Sequence, residues 1–290
     1  MNNKPTTVLV TGANGQLGNE LHVLAPRFTD CIFLFVSKEA LNIADAAAIE
    51  NYFTTHSIDY CINCAAYTAV DKAEVEKEQA FLINAEAVGT IAKVCHKNNT
   101  QLIHISTDYV FDGTETQPYK ETDKTNPVSI YGQSKLNGEE LAMKNCPSTI
   151  IIRSSWLYSS FKNNFVKTML RLMKEKESIN VVNDQYGCPT YAADLALAII
   201  QIIKSGISKE NAGIYHFANL GTTNWFEFAV AIKEFSKSRC SVNPIPSTRY
   251  PTPARRPAYS VFNTSKIKET FKIVMPEWKD SLQKCLRLLK

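Results

Sequence analysis

The sequence has little unbalanced charge: 32 Lys and Arg stand against 28 Asp and Glu, a formal net charge of +4 over 290 residues. No Lys/Arg cluster forms, so no nucleic-acid partner is expected. A long hydrophobic run is also missing. The longest, Leu195 to Ile203, is interrupted by Gln201 and flanked by Asp194 and Lys204, far below the roughly 20 residues that span a bilayer. Met1 to Thr7 is short and polar and has neither the apolar core nor the cleavage site of a signal peptide. No membrane partner and a cytoplasmic location are therefore expected. The eight cysteines are scattered (Cys31, Cys61, Cys64, Cys95, Cys146, Cys188, Cys240, Cys285), which reads as reduced thiols. Cys61 and Cys64 form the one C-x-x-C, on a buried strand and its exit, with no second pair and no nearby His. Residues three apart on a strand face opposite ways, so no metal site is expected there. No internal repeat or low-complexity segment appears.

In the first half, short Val/Ile/Leu strands alternate with helices. Strands are expected at Val8–Val10, Cys31–Val36, Tyr60–Cys64, Leu102–Ser106 and Thr149–Ile152. Helices are expected at Gln16–Leu24, Ala44–His56, Ala80–Asn98 and Ile130–Lys144. Continuous apolar strands are buried on both faces, and their alternation with helices implies a parallel sheet with right-handed crossovers. After about Ser155 the order changes: a helix at Asn164–Lys176, a strand at Ile179–Val182, a helix at Asp194–Ile203 and one more sheet strand at Ile214–Phe217. Pro244, Pro246, Pro251, Pro253 and Pro257 oppose regular structure, so a long ordered loop is expected over the second lobe. The expected fold class is α/β: a doubly wound, Rossmann-like parallel sheet, residues 1–155 plus about 190–218, with a smaller mixed α/β substrate-binding lobe, about 156–189 plus 219–290.

Thr11-Gly12-Ala13-Asn14-Gly15-Gln16-Leu17-Gly18 follows the first strand and opens the first helix. Gly12, Gly15 and Gly18 allow a tight turn, close backbone approach to a pyrophosphate and close helix–strand packing. The helix N-terminus offers free N–H groups and a positive dipole end to the phosphates. The spacing is G-x-x-G-x-x-G. No carboxylate ends the second strand, which runs into Ser37-Lys38. That removes the repulsion a 2′-phosphate would meet. Lys38 either attracts such a phosphate or is a solvated loop charge. The expected cofactor is NADPH, with NADH as the alternative.

Tyr131-Gly132-Gln133-Ser134-Lys135 is Y-x-x-x-K on an expected helix. Residues i and i+4 share a face, so phenol and ammonium point into one cleft. The cation is expected to lower the phenol pKa and make Tyr131 a usable proton donor. Upstream, Ile105-Ser106-Thr107-Asp108 ends a buried strand, where ligands of open α/β sheets bind. The Thr107 hydroxyl is placed to polarise a carbonyl. Asp108 either tunes the proton network or caps the next turn. Asn84 either reaches Lys135 through water or bonds within its own helix.

In these residues the chain resembles the dTDP-4-dehydrorhamnose reductases, a family of extended short-chain dehydrogenases. The resemblance covers nearly the whole chain. It is carried by Thr11 to Gly18, by Ala69-Val70-Asp71-Lys72-Ala73-Glu74, by Ser106-Thr107-Asp108-Tyr109-Val110-Phe111-Asp112-Gly113 and by Tyr131 to Glu139. Arg153 to Tyr158, Asn163 to Phe165, Asn183 to Thr190, Gly221 to Thr223 with Trp225, and Tyr250 to Pro257 extend it. It implies reduction of a 4-keto group on a sugar nucleotide. Gly15, Gln16 and Leu17 would meet the cofactor phosphates. Asn42, Ile43, Ala65, Ala66, Tyr67 and Ile105 would line its adenine and nicotinamide sides, with Tyr131 and Lys135 also meeting the cofactor and Lys135 placed to hydrogen-bond the nicotinamide ribose. Thr68, Thr107, Asp108 and Trp156 would meet the sugar nucleotide, although Trp156 also suits a core. Arg256 would hold its pyrophosphate or else pair with a surface carboxylate. Asn42 stands where many members carry an acid. Some members build a dimer around magnesium held by glutamates. Here Glu20 fits one such position, Ala193 occupies another and the C-terminal glutamate has no counterpart. No metal-built dimer is expected; the chain should be a monomer or weak homodimer. Tyr109 follows Asp108 where dehydratases of this class carry a second carboxylate, which counts against dehydration. The alternatives are another nucleotide-sugar reductase or epimerase, and a non-catalytic regulatory subunit of the methionine adenosyltransferase type.

Overall fold

The computed structural model describes residues 4–289; Met1 to Asn3, part of the N-terminal segment considered above, lie outside them. Six parallel strands make the main sheet: β1 (Thr6–Thr11), β2 (Cys31–Val36), β3 (Tyr60–Asn63), β4 (Gln101–Thr107), β5 (Ile150–Ser154) and β10 (Gly213–Phe217). Their order is β10-β5-β4-β3-β1-β2. From β1 the chain steps to β2 on one side and then returns to place β3 on the other. The switch of direction at β1 and β3 opens a crevice at the carboxyl ends of those strands, where such sheets bind ligands.

Alternation along each strand fixes both layers. Val8, Val10, Ile62, Ile103, Ile150 and Ile152 face one side, packed by α1 (Gln16–Leu24) and α8 (Ala192–Ser205). Leu9, Cys61, Leu102 and Ile151 face the other, packed by α2 (Ala46–Thr55), α5 (Ala87–Lys97) and α6 (Ile130–Asn145). The helix starts follow from capping chemistry. Asp45 accepts from Ala48 N at 3.0 Å at the start of α2, and Ser129 accepts from Gly132 N at 3.1 Å at the start of α6. Two short helices, α3 (Val70–Ala73) and α4 (Lys77–Phe81), lead into α5.

The helix expected over residues 80–98 is interrupted. Leu82–Glu86 is a π-turn between α4 and α5. Asn84 causes the break to be useful: its Oδ1 accepts from Tyr67 N at 2.8 Å, and its Nδ2 donates to Tyr67 O and Ser134 Oγ, both at 3.0 Å. Such turns often mark functional sites. The side chain thus satisfies both backbone groups of Tyr67 and ties them to α6.

The second core gathers α7 (Phe165–Glu175), α9 (Trp225–Ser236) and α11 (Trp278–Arg287), through Val166, Met169, Phe228, Ile232, Trp278 and Leu282. Three two-stranded pieces surround it: β6 (Leu157–Tyr158) with β9 (Thr190–Tyr191), β8 (Tyr186–Gly187) with β11 (Thr223–Asn224), and β7 (Ser178–Val182) with β12 (Ser241–Ile245). The proline-rich stretch is thus not all loop. Pro244 sits within β12, opposite Val181. Because β12 has one neighbour, its open edge demands no N–H from proline. Residues 250–258 carry no helix or strand, as expected. Helix α10 (Ser265–Phe271) returns to the first core, where Ile267 and Phe271 join the α8 side. Among the described residues, no helix is long and apolar enough to cross a membrane.

Candidate active site

A cleft of about 1060 Å³ opens at the carboxyl ends of the strands. Its floor is the glycine loop between β1 and α1. A Cβ on Gly18 would stand 2.6 Å from the carbonyl oxygens of Gly12 and Ala13, so only glycine lets α1 start this close to β1. Gly15 is the N-cap, and no side chain caps the first turn, which also holds no acidic residue. The free N–H groups there suit the phosphates of a dinucleotide. Gly18→Ala should over-pack the loop at a cost of about 1–3 kcal/mol. The expected result, read by fluorescence titration with NADPH, is a Kd raised about 10- to 100-fold.

The cleft brings together Gly12, Gly15, Gln16, Leu17, Gly18, Asn42, Ile43, Ala65, Ala66, Tyr67, Thr68, Ile105, Thr107, Asp108, Tyr131, Lys135 and Trp156. Arg256 is not among its lining. The guanidinium is held by Asp71, with Nη1 3.0 Å from Oδ1 and Nη2 2.9 Å from Oδ2, and it also donates to Thr252 Oγ1. Of the two readings given for Arg256, this arrangement shows the carboxylate pairing. The pair ties the proline-rich loop to α3.

Several lining residues had no site role in the expectations from sequence. Glu39 lines the cleft beside Ser37 and Lys38, and the Ser37 hydroxyl holds its carboxyl below the usual range. A carboxylate therefore does follow β2, three residues past its end. Lys162, Asn164, Phe165 and Trp225 enter from the second lobe. Asn164 caps α7 and donates to Gln16 Oε1 at 2.9 Å, joining that lobe to the glycine loop. Trp156 takes a left-handed backbone, φ 48°, and its ring stacks on Trp225 with centroids 3.6 Å apart and planes 9° apart. A bulky residue in that backbone region is strained, and such strain clusters at ligand sites.

The reactive groups lie at the ends of β4 and α6. Gly132 and Gly138 let α6 press close, since a Cβ on either would run into the carbonyl oxygen of Tyr109 or Asn84. Tyr131 packs edge-on against Tyr109, centroids 5.4 Å apart. Its phenol is pushed up to about 12, by burial first and by the Asp108 charge, while a hydrogen bond with Thr107 opposes the rise. Lys135 is pushed down to about 8 by burial, with Glu139 and Cys64 working the other way. The net shift of the phenol is thus upward where a lowering was expected, because burial dominates it. The shared helix face is real, but the Lys135 ammonium turns to β4, 2.6 Å from Ile105 O, and both groups are dry. Tyr131 is consequently a phenol throughout the neutral range, the form that gives a proton.

Thr107 Oγ1 donates to Asp108 Oδ1 at 3.0 Å and accepts from Tyr109 N at 3.2 Å. Asp108 is 3% exposed, and burial lifts it to about 6 despite hydrogen bonds from Ser260 and Thr107. A carboxyl raised above its ordinary 3.8 favours the fold when protonated, so its contribution is full below about pH 4 and is lost as pH rises through about 6. Asp108→Asn should therefore stabilise the protein at pH 7 by on the order of 2 kcal/mol and leave it unchanged near pH 4. Urea unfolding at the two pH values checks this.

A parallel sheet with a glycine loop at its switch point, and a tyrosine and lysine one helical turn apart at the next strand ends, defines the extended short-chain dehydrogenase class. Residues 6–290 match the model of the RmlD substrate binding domain, and the chain belongs to that family, the family of the dTDP-4-dehydrorhamnose reductases. It is 40% identical over 288 residues to the dTDP-4-dehydrorhamnose reductase of Salmonella typhimurium, covering 96% of each chain. The crystal structure of the Clostridium acetobutylicum dTDP-4-dehydrorhamnose reductase superimposes with a TM-score of 0.94 at 37% identity, over 98% of this chain and 99% of that one. The Bacillus anthracis dTDP-4-dehydrorhamnose reductase, solved in complex with NADP, gives 0.93 at 37% identity, over the same shares.

Proposed function

We propose that the chain uses NADPH to reduce the 4-keto group of dTDP-4-dehydro-L-rhamnose, giving dTDP-L-rhamnose. The observation that carries the reading is the meeting of Thr107, Tyr131 and Lys135 with the glycine loop in one cleft; the names of the relatives supply the substrate. The dinucleotide, when bound, supplies a hydride to the ketone carbon. The Tyr131 hydroxyl gives its proton to the carbonyl oxygen as that oxygen gains charge. The Thr107 hydroxyl, which donates to Asp108 here, would turn to donate to the same oxygen and orient it. Lys135 stabilises the phenolate left on Tyr131. The Trp156–Trp225 stack and Asp108 meet the sugar nucleotide, and Gln16 with the α1 N-terminus meets the cofactor phosphates. NADPH is favoured over NADH by Lys38; Glu39 beside it works against a 2′-phosphate, so NADH remains the second choice.

The division of labour follows the two lobes: residues 1–155 with about 190–218 hold the cofactor, and about 156–189 with 219–290 hold the substrate, apart from α10, which packs on the first core. All eight cysteines are free thiols, which supports a cytoplasmic setting. We take the chain as a monomer or weak homodimer. Purified protein mixed with NADPH should oxidise it only when dTDP-4-dehydro-L-rhamnose is added, with dTDP-L-rhamnose as product. No oxidation, or faster turnover of a different nucleotide sugar, would overturn the reading.

A further inference from the structure

Behind the cleft, a row of buried polar side chains crosses the sheet. Thr11 and Asn63, at the ends of β1 and β3, and His104, in the middle of β4, are direct cross-strand neighbours. Neither they nor Lys135 exceeds 1% exposure. Four polar groups in so dry a place are costly unless each is bonded, and each is. Thr11 Oγ1 lies 2.6 Å from Asn63 Oδ1. Both atoms are oxygens, so the hydroxyl donates. Asn63 Nδ2 then donates to His104 Nδ1, 3.1 Å away. A neutral imidazole that accepts at Nδ1 carries its proton on Nε2. That Nε2–H faces Lys135 Nζ at 3.4 Å, while the Ile105 carbonyl accepts from Nζ on another side at 2.6 Å.

The Ile105 carbonyl accepts equally well from an amine or an ammonium. The imidazole N–H does not: it bonds to the lone pair of the amine and stands donor to donor against the ammonium. We propose that His104 is a positioning residue for Lys135: fixed by Asn63 as the Nε2–H tautomer, it aims a donor at Nζ and makes the ammonium a readier acid. The proposal rests on the reading of Lys135 as the partner of Tyr131. Its consequence is that the amine form of Lys135 is favoured, so the positive charge that supports the Tyr131 phenolate is given up at a lower pH than without the His104 donor.

The surroundings agree. Burial and the Lys135 charge keep His104 neutral, well below its usual pKa. The other titratable groups facing Lys135 are Glu139 on α6 and Cys64 past β3. Glu139 is already engaged by Arg153 of β5 at 2.6 Å, and Cys64 is pushed far up by burial and stays a thiol. His104 is thus the group that presents a donor to Nζ.

NMR of the whole protein, isotope-labelled in its histidine nitrogens, reads the tautomer directly. Of five histidines, His104 and His216 are buried. His216 Nδ1 lies 3.1 Å from the Tyr119 carbonyl, so it must donate there, and the two buried rings should be neutral and of opposite tautomer. The His104 Nε2 signal should shift as Lys135 titrates, and Lys135→Met should abolish that shift. An Nδ1–H or charged His104 overturns the proposal. In a second arm, Asn63→Asp turns the imidazole over, because a carboxylate demands a proton from Nδ1. The alkaline limb of kcat should then rise by at least ~1 pH unit. A limb that stays in place while the tautomer reverses also overturns it; a merely structural role would lower kcat without moving the limb. The tautomer is read on the protein itself, so it decides the proposal even if the ketone test above fails.

Discussion

Tyr131→Phe should lower kcat by at least ~100-fold, the scale of a lost general acid, and leave dinucleotide binding close to that of the parent. The substitution removes one O–H and keeps the ring, so its edge contact with Tyr109 survives. The phenol of the parent is protonated through the neutral range, because burial holds its pKa near 12. The defect should accordingly be the same size across that range rather than emerging at one pH. Steady-state rates with saturating ketone, together with an NADPH titration, separate chemistry from binding. Turnover within a few-fold of the parent would remove Tyr131 from its role.

Arg153→Leu should cost about 3–5 kcal/mol of stability, the scale of breaking a buried ion pair from one side. Arg153 of β5 and Glu139 of α6 are each 2% exposed. Nε reaches both carboxylate oxygens, at 2.9 and 3.1 Å, and Nη2 reaches Oε2 at 2.6 Å, a charge-assisted fork. Without Arg153, the hydroxyl of Ser106 is the remaining side-chain donor to that carboxylate. The pair sits one helical turn beyond Lys135, so it also fixes how α6 is turned toward the cleft. Replacing both partners by leucine should recover much of the loss, since the cost lies in stranding a charge rather than in losing an attraction. Chemical unfolding of the two variants checks both statements. A loss below ~1 kcal/mol for Arg153→Leu would contradict the account.

The strands and the reactive positions were legible because each leaves a local mark. Cys31–Val36 and Gln16–Leu24 fall where apolar runs and the glycine loop place them. Tyr131 and Lys135 are four apart on a helix, and Thr107 ends a buried strand, so all three could be placed without a contact map. What escaped depends on contacts distant in sequence. Asn84 is an ordinary helical residue until it meets Tyr67 and Ser134, and the π-turn exists to make that meeting. His104 reads as a polar residue in a strand, and only the cross-strand register sets it beside Asn63 and against Lys135. The lowered phenol pKa was the wrong inference for the same reason. Helical spacing brings two side chains to one face, but it does not say where an ammonium points or how dry the site is. Helix α11 could have been found: Trp278, Ser281, Leu282, Cys285 and Leu286 recur at helical spacing and form its buried stripe. Helix α9 carries its own start signal in the Asn224 cap, 2.8 Å from Glu227 N.

The account places the ketone of the sugar nucleotide against the Tyr131 hydroxyl at the open edge of the sheet. A crystal structure of the protein with NADP and dTDP-L-rhamnose tests that placement most directly. The sugar oxygen at C4 should lie within about 3.2 Å of Tyr131 Oη and within hydrogen-bond reach of Thr107 Oγ1, with the pyrophosphate of NADP on the first turn of α1. A sugar ring bound elsewhere in the cleft, with its C4 oxygen turned away from both hydroxyls, would contradict the account.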